Sequence, residues 1–445
     1  MLTSIAMSIS IPPLPQSARI NRSGHLEIAG CDIVELAADF GTPLFIYDEQ
    51  EIRECCRAYH QAFSERTDNY DIIYASKAFS CIALCRLIGQ EGLSLDVASG
   101  GELHTALRAW FPPENIYLHG NANTREELER AVRNEVGHVV VDSLDELAVL
   151  DEIAREQTRR QRILLRITPG IEVHTHDYIQ TGKLDSKFGL CLAEGVADRA
   201  VQAAMATANL ELEGFHCHIG SQIFTLEPYG RAIRVLADFA AGCAQKYGFE
   251  CRVLDVGGGL GVAYTSGEKP AAVDKLAEVI ATGVRSEFER VGLPVPRIAV
   301  EPGRSIVANA GLTAYTIETV KTIPRVKTYV AVNGGMSDNM RPMLYGAQYE
   351  ALIADRPEAQ PTITVAVAGK HCESGDIIIK ECGLPDPRPG DVLVTPCTGA
   401  YGYSMASNYN GQTRPAVLFV SEGKARLAIK RESYEDLVHL QEQME

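Results

Sequence analysis

Asp71-Ile72-Ile73-Tyr74-Ala75-Ser76-Lys77 is the stretch whose reading decides the fold. Residues 72–75 form a short apolar run and read as a buried strand. The run ends at a lysine followed by Ala78 and Phe79. A lysine at the end of a buried strand sits in a partly dry place, where desolvation disfavours the ammonium form. A Schiff-base lysine needs such a setting. Taken alone, the segment favours the plainer alternative, a lysine that marks the strand's exit and reaches solvent.

Working outward, the same rhythm repeats. Strand-like runs stand at 72–75, 93–97, 116–118, 139–141, 163–167, 212–218, 253–256 and 298–300. Helical patterns such as 126–133 and 144–155 lie between most of them. Strand and helix in alternation imply parallel βα units. Eight of them predict a closed TIM-like (β/α)8 barrel over 44–310, with an open doubly wound sheet as the alternative. Such a barrel carries its chemistry just past the C-terminal ends of its strands. Polar and glycine residues do cluster there: Lys77, Ser99-Gly100-Gly101-Glu102, His119-Gly120-Asn121, Asp142-Ser143, His174-Thr175-His176, His218-Ile219-Gly220-Ser221, Gly257 to Gly261 and Glu301-Pro302-Gly303-Arg304.

Beyond 310 the rhythm changes. Runs at 315–320, 328–332, 363–368, 377–379, 392–395, 416–419 and 425–429 are strand-like, with turn signals between them. They predict a mostly antiparallel β domain over 311–445, ending in a helical pattern at 434–442. Residues 1–24 read as a poorly ordered leader, and 25–43 as a segment joining the β domain.

Across the 445 residues, 46% are hydrophobic and 22% charged, as in a soluble globular protein. The net charge of −16 argues against nucleic acid and anionic membrane as partners. No apolar run is long enough to span a bilayer. The twelve cysteines are scattered without a CxxC pair, which fits reduced thiols in a cytoplasmic protein and no zinc ribbon.

Several residues point to chemistry. The glycines 257–261 can aim backbone amides at a phosphate, with Ser221 and Arg304 completing the cup. Glu301 closes an apolar run, and a buried carboxylate needs a cationic partner. A protonated pyridine nitrogen would suit, and a nearby arginine is the alternative. His216 and His218 share one strand face. A metal site using them with His174 and His176 lacks a carboxylate or cysteine at ligand spacing, so no metal is expected. His371-Cys372-Glu373-Ser374-Gly375-Asp376 sets a thiol beside two carboxylates, either as a surface loop or as a proton donor to a carbanion.

These segments resemble the fold-type III pyridoxal-phosphate decarboxylases, whose architecture is that of alanine racemase. The matching stretches are YASKAF at 74–79, DVASGGEL at 96–103, HTHDYIQTGKLDSKFG at 174–189, HCHIGSQ at 216–222, GGGLG at 257–261 and EPGR at 301–304. GGMSDNMRPMLYGA at 334–347, KHCESGD at 370–376 and TGAYGYSMASNYN at 398–410 continue the match in the same order. The resemblance implies that Lys77 holds pyridoxal 5'-phosphate as an imine, that His218 stacks on its ring and that Glu301 pairs with its nitrogen. It implies that Ser221 and the backbone of Gly257, Gly258 and Gly259 hold the phosphate, with Gly303 and Tyr401 also at the cofactor. Arg304 contacts phosphate or a substrate carboxylate. Arg341, Tyr345, Glu373 and Tyr401 are implied substrate contacts, and Cys372 the proton donor. Cys372 and Glu373 are implied to serve the other subunit of a homodimer with shared sites. The implied reaction turns meso-2,6-diaminopimelate into L-lysine and carbon dioxide, with ornithine, arginine or carboxynorspermidine as alternative substrates. Asn123 and Asn333 stand where the family often has lysine and aspartate.

Overall fold

Tyr70–Ala75 (β1) begins a ring of parallel strands. It continues through Ser94–Val97 (β2), Ile116–Leu118 (β3), His138–Val141 (β4) and Gln161–Thr168 (β5). Leu210–His216 (β6), Val253–Asp255 (β7) and Arg297–Val300 (β8) follow. Each pairs in parallel with the next, and β8 pairs with β1, so the barrel of eight is closed. The computed structural model describes residues 13–171 and 186–442. His174 and His176 lie outside the described residues.

Ile73, Tyr117, Val140, Leu164, Val253 and Ala299 fill the barrel as one buried cluster. Burying each of the larger of these side chains contributes roughly 1.5–3 kcal/mol. The helices are set by caps at the strand ends. Ser99 accepts from the amide of Glu102 at the head of Gly100–Arg108, and Ser143 from Glu146 at the head of Leu144–Glu156. Thr124 and Glu127 make a capping box on Arg125–Arg133. Each cap contributes about 1 kcal/mol. Part of the strand-end polarity expected to carry chemistry is therefore helix capping.

The chain divides into two compact units, 53–261 with 270–306, and 1–52 with 262–269 and 307–445. The second unit holds a nine-stranded sheet. Its path runs Ile377–Leu384, Ile363–Ala368, Lys327–Val332, Gly311–Ile323, Leu44–Asp48, Ala416–Ser421, Lys424–Ile429, with Val392–Pro396 also paired to Gly311–Ile323. Most pairings are antiparallel; Lys327–Val332 with Ile363–Ala368 and Leu44–Asp48 with Ala416–Ser421 are parallel.

Several boundaries differ from the sequence reading: β6 ends at His216, so His218 lies beyond the strand, and 262–269 belongs to the β unit. Leu44–Asp48 is a buried strand of the β unit and not the start of the barrel. It precedes the helix Glu49–Ser64 and so imitates a βα unit. Within 13–24, Arg19–Ile20 pairs with Leu26–Ile28, so these residues are structured. Leu26, Ile28 and Ile33 join Leu312 and Val394 in one core. At 434–442 only a single 3₁₀ turn forms, Glu435–Leu437, with Tyr434 and Leu440 exposed. A short helix without a buried face is not stable by itself.

Candidate active site

Lys77 lies in a tight turn, Ser76–Ala78, directly after β1. That turn is tied to the end of β8: the amide of Ala75 donates to the carbonyl of Pro302 at 3.0 Å. A side chain at 303 would meet Ala75 and Ala78 at 3.0–3.1 Å, so Gly303 lets the two turns touch. The Lys77 side chain is exposed, between buried Ser76 and Ala78. β1 ends at Ala75, so Lys77 stands on the turn beyond the buried strand and not on the strand itself. Its charge still acts on the barrel's mouth, adding to the burial that holds His218 well below the usual imidazole range.

Glu301 follows β8 and is 4% exposed. Two imidazoles face one of its oxygens, His119 Nε2 at 3.1 Å and His216 Nε2 at 3.2 Å. These are ion-pair distances, but neither contact is aligned as a hydrogen bond. Burial alone would raise the Glu301 carboxyl; the two histidines outweigh it and hold the group well below the carboxylate range. Asp255, at the end of β7, behaves oppositely. Burial first, then the Glu301 charge, push it well above that range. Two adjacent buried carboxyls cannot both ionise readily, so Asp255 keeps its proton and Glu301 the charge.

The glycines after β7 are required by close approach. A side chain at Gly258 would lie 2.0 Å from the Glu301 carbonyl oxygen, and one at Gly257 2.5 Å from that of Cys217. The amide of Gly257 donates to Asp255 Oδ1 at 2.8 Å, and that of Gly258 to His218 Nδ1 at 3.3 Å. Both amides are thus engaged within the chain, which differs from the phosphate cup expected of them. Arg304, buried at the turn after β8, donates to Ser221 Oγ at 2.8 Å. The pair sets a guanidinium beside a hydroxyl at the ends of β6 and β8.

In the β unit, Arg341 is buried at the head of the helix Arg341–Tyr345. Its guanidinium lies 4.2 Å from the centroid of Tyr264 and donates to the hydroxyl of Tyr349. Tyr345 is half-buried. Cys372 and Glu373 are exposed. Their loop is held by Asp376, which accepts from the amides of Met336 at 2.7 Å and His371 at 2.9 Å and from His371 Nδ1 at 2.7 Å. The amide of Cys372 donates to Asn410 Oδ1 at 2.8 Å. Tyr401 adopts φ +60°, a left-handed conformation that costs a tyrosine on the order of 1 kcal/mol or more. Asn333 and Asn123 are each locally bonded, to Thr42 Oγ1 at 2.7 Å and to Glu146 Oε1 at 2.7 Å.

The barrel therefore gathers Lys77, His218, Ser221, Gly257, Gly258, Gly259, Glu301, Gly303 and Arg304 at the C-terminal ends of β1, β6, β7 and β8. Sequence reasoning missed the roles of Asp96, His119, Arg166 and Asp255 around Glu301, and Tyr264 and Tyr349 around Arg341. The signal that singled out Glu301, a charge within an apolar strand, also marks Asp96 and Asp255.

Residues 49–308 match the family model for the pyridoxal-binding domain of pyridoxal-dependent decarboxylases. The chain belongs to this family. The diaminopimelate decarboxylase of Bacillus subtilis is 47% identical over 95% of this chain and 97% of its own length. That of Mycobacterium tuberculosis is 44% identical over 96% and 97%. The crystal structure of diaminopimelate decarboxylase from M. jannaschii in complex with L-lysine superposes with a TM-score of 0.90 at 33% identity, covering 96% of this chain and 98% of that one. A pyridoxal-dependent decarboxylase of fold type III fits the site: Glu301 suits a cationic ring nitrogen, the Ser221–Arg304 corner suits a phosphate, and Lys77 is within electrostatic reach of His218. Among the described residues, His119, His216 and Glu301 also bring three ligand-type atoms within 4.8 Å of one another. Their chemistry is explained equally by an anion held between imidazoles.

Proposed function

We propose that the protein decarboxylates meso-2,6-diaminopimelate to L-lysine and carbon dioxide, using pyridoxal 5'-phosphate. The observation that carries the reading is the Glu301 carboxylate, buried and held anionic at the C-terminal end of the barrel. The substrate assignment is supported by the near full-length likeness to diaminopimelate decarboxylases, one of them solved with L-lysine.

Bound pyridoxal phosphate supplies an electron-withdrawing ring that accepts the electron pair left when the carboxylate departs. Lys77 anchors the cofactor through Nζ. His218, kept neutral chiefly by burial, would stack on the ring without adding charge to it. Glu301 holds the proton on the ring nitrogen. Ser221 and Arg304 bind the phosphate, with Gly257, Gly258, Gly259 and Gly303 shaping the floor by allowing close contact of the strand ends. Assigning Arg304 to the phosphate leaves Arg341 for the distal carboxylate of the substrate, with Glu373 for its distal ammonium and Tyr345 and Tyr401 beside them. Tyr264 and Tyr349 hold the Arg341 guanidinium and fix its direction. Cys372 Sγ returns a proton to the carbon that lost carbon dioxide, so one carboxylate is exchanged for one hydrogen. The working form is a homodimer in which Cys372 and Glu373 serve the partner's site, and its location is the cytoplasm. None of the twelve cysteines forms a disulfide, and no helix among the described residues is long and apolar enough to cross a membrane.

Carbon dioxide release on a panel of diaminopimelate isomers, ornithine and arginine tests this. The meso isomer should be turned over fastest. Faster release from ornithine would overturn the substrate assignment.

A further inference from the structure

The two imidazoles beside Glu301 are not equivalent. Both reach the same oxygen, at 3.1 Å for His119 and 3.2 Å for His216, and their rings meet edge to face with centroids 5.0 Å apart. Their other neighbours differ. Asp96 on β2 stands in register with Tyr117 on β3, whose side chain fills the barrel interior. His119 is two residues beyond Tyr117 and shares that face. It therefore sits between two buried carboxyls, Asp96 and Glu301. His216 stands in register with Arg166 on β5 and with Asp255 on β7. One of these is a cation and the other holds its proton.

The electrostatics follow this layout. Burial opposes charge on both rings. At His119 the Asp96 and Glu301 charges overcome burial and raise the imidazole. At His216 burial wins, with His119 and Arg166 adding to it, and the ring falls to about 4. Among the described residues, Arg166 on β5 and Asp142 after β4 also act on His119, and Lys77 after β1 acts on Asp96. Glu102 and Glu146 stand behind them, both raised above the usual carboxylate range, chiefly by burial. Burial also raises Asp142, and it raises Asp96 as well, against the opposing His119 and Lys77 charges.

We infer that His119 is a positioning residue whose imidazolium, held between Asp96 and Glu301, keeps Glu301 the anion that retains the proton on the ring nitrogen. His216 fills the opposite side as a neutral ring. This rests on the reading that Glu301 faces that nitrogen. Without the His119 charge, Glu301 lies buried beside a neutral acid, and the shared proton moves from the ring nitrogen toward the carboxylate. The ring then withdraws electrons less strongly.

The test uses the full-length protein loaded with pyridoxal phosphate and follows its visible absorbance against pH. Glu301→Gln should move the midpoint of the absorbance transition upward. His119→Gln should move it in the same direction, by on the order of one pH unit. His216→Gln should move it less than His119→Gln does, because His119 is the larger of the two influences on Glu301. If Glu301→Gln leaves the midpoint unchanged, the reading of Glu301 fails. If Glu301→Gln moves it and His119→Gln does not, or if both histidine variants move it equally, the inference on His119 fails while the reading of Glu301 stands. Should His119→Gln not fold, Asp96→Asn carries the test. It should shift the midpoint upward by a smaller amount, and an unshifted midpoint overturns the inference.

Discussion

Replacing Asp338 by asparagine should change how stability depends on pH. Asp338 is 2% exposed and lies on the loop that leads into Arg341. It accepts from the Tyr315 hydroxyl at 2.6 Å and from the Gly335 amide at 2.9 Å. Burial is the largest influence on it and, with the nearby Asp376 charge, outweighs those two bonds, so its pKa rises from 3.8 to about 7. A carboxyl raised in the folded state favours folding fully below its unfolded pKa, here near 3.8, and loses that contribution as pH rises through about 7. Three pH units at about 1.4 kcal/mol each give on the order of 4 kcal/mol across that window, of which roughly 2–3 kcal/mol falls between pH 5 and 8. Asparagine does not titrate, but its amide group faces either the Tyr315 or the Gly335 donor and costs about 1–3 kcal/mol. Asp338→Asn should therefore be the less stable protein at pH 5 and should gain on the wild type as pH rises to 8. Urea unfolding at a series of pH values measures the difference. Parallel stability curves for the two proteins between pH 5 and 8 would refute the reasoning.

The two arginines can be separated by what each variant loses. Arg304→Met should weaken cofactor binding, read by titrating the apoprotein with pyridoxal phosphate. Arg341→Met should leave that titration intact and raise KM for diaminopimelate by about 10-fold or more, as expected when a buried charge partner is removed from a ligand. For Cys372→Ala we expect turnover to fall by about 10²-fold or more with cofactor absorbance unchanged, the scale of a lost general acid; near-normal turnover removes Cys372 from the proton-transfer step.

The barrel was legible because each strand is an apolar run with polar residues at its exit. Run lengths and spacing alone located all eight observed strands. The error at Leu44–Asp48 has the same origin. A strand followed by a helix looks alike whether it pairs with β1 or with a sheet more than 260 residues away, as it does with Gly311 and Leu312. Ser99 and Ser143 show a second ambiguity, since a polar residue after a strand can serve a helix N-terminus as well as a ligand. The family likeness supplied roles for Lys77, His218, Glu301 and Cys372, but not the groups that tune them.

What the sequence determined by itself was the alternation of strand and helix, the carboxylate at 301, the lysine at 77 and the glycines between strand ends. These follow from local pattern and from the cost of burying charge. Only the tertiary structure decided that Glu301 meets His119 and His216, that Asp255 holds the proton Glu301 lacks, and that the Gly257 and Gly258 amides turn inward. Closure of the barrel brings β2, β3, β6, β7 and β8 to one mouth. Residues as far apart as Asp96 and Glu301 then share one low-dielectric space, where each group's charge depends on all the others.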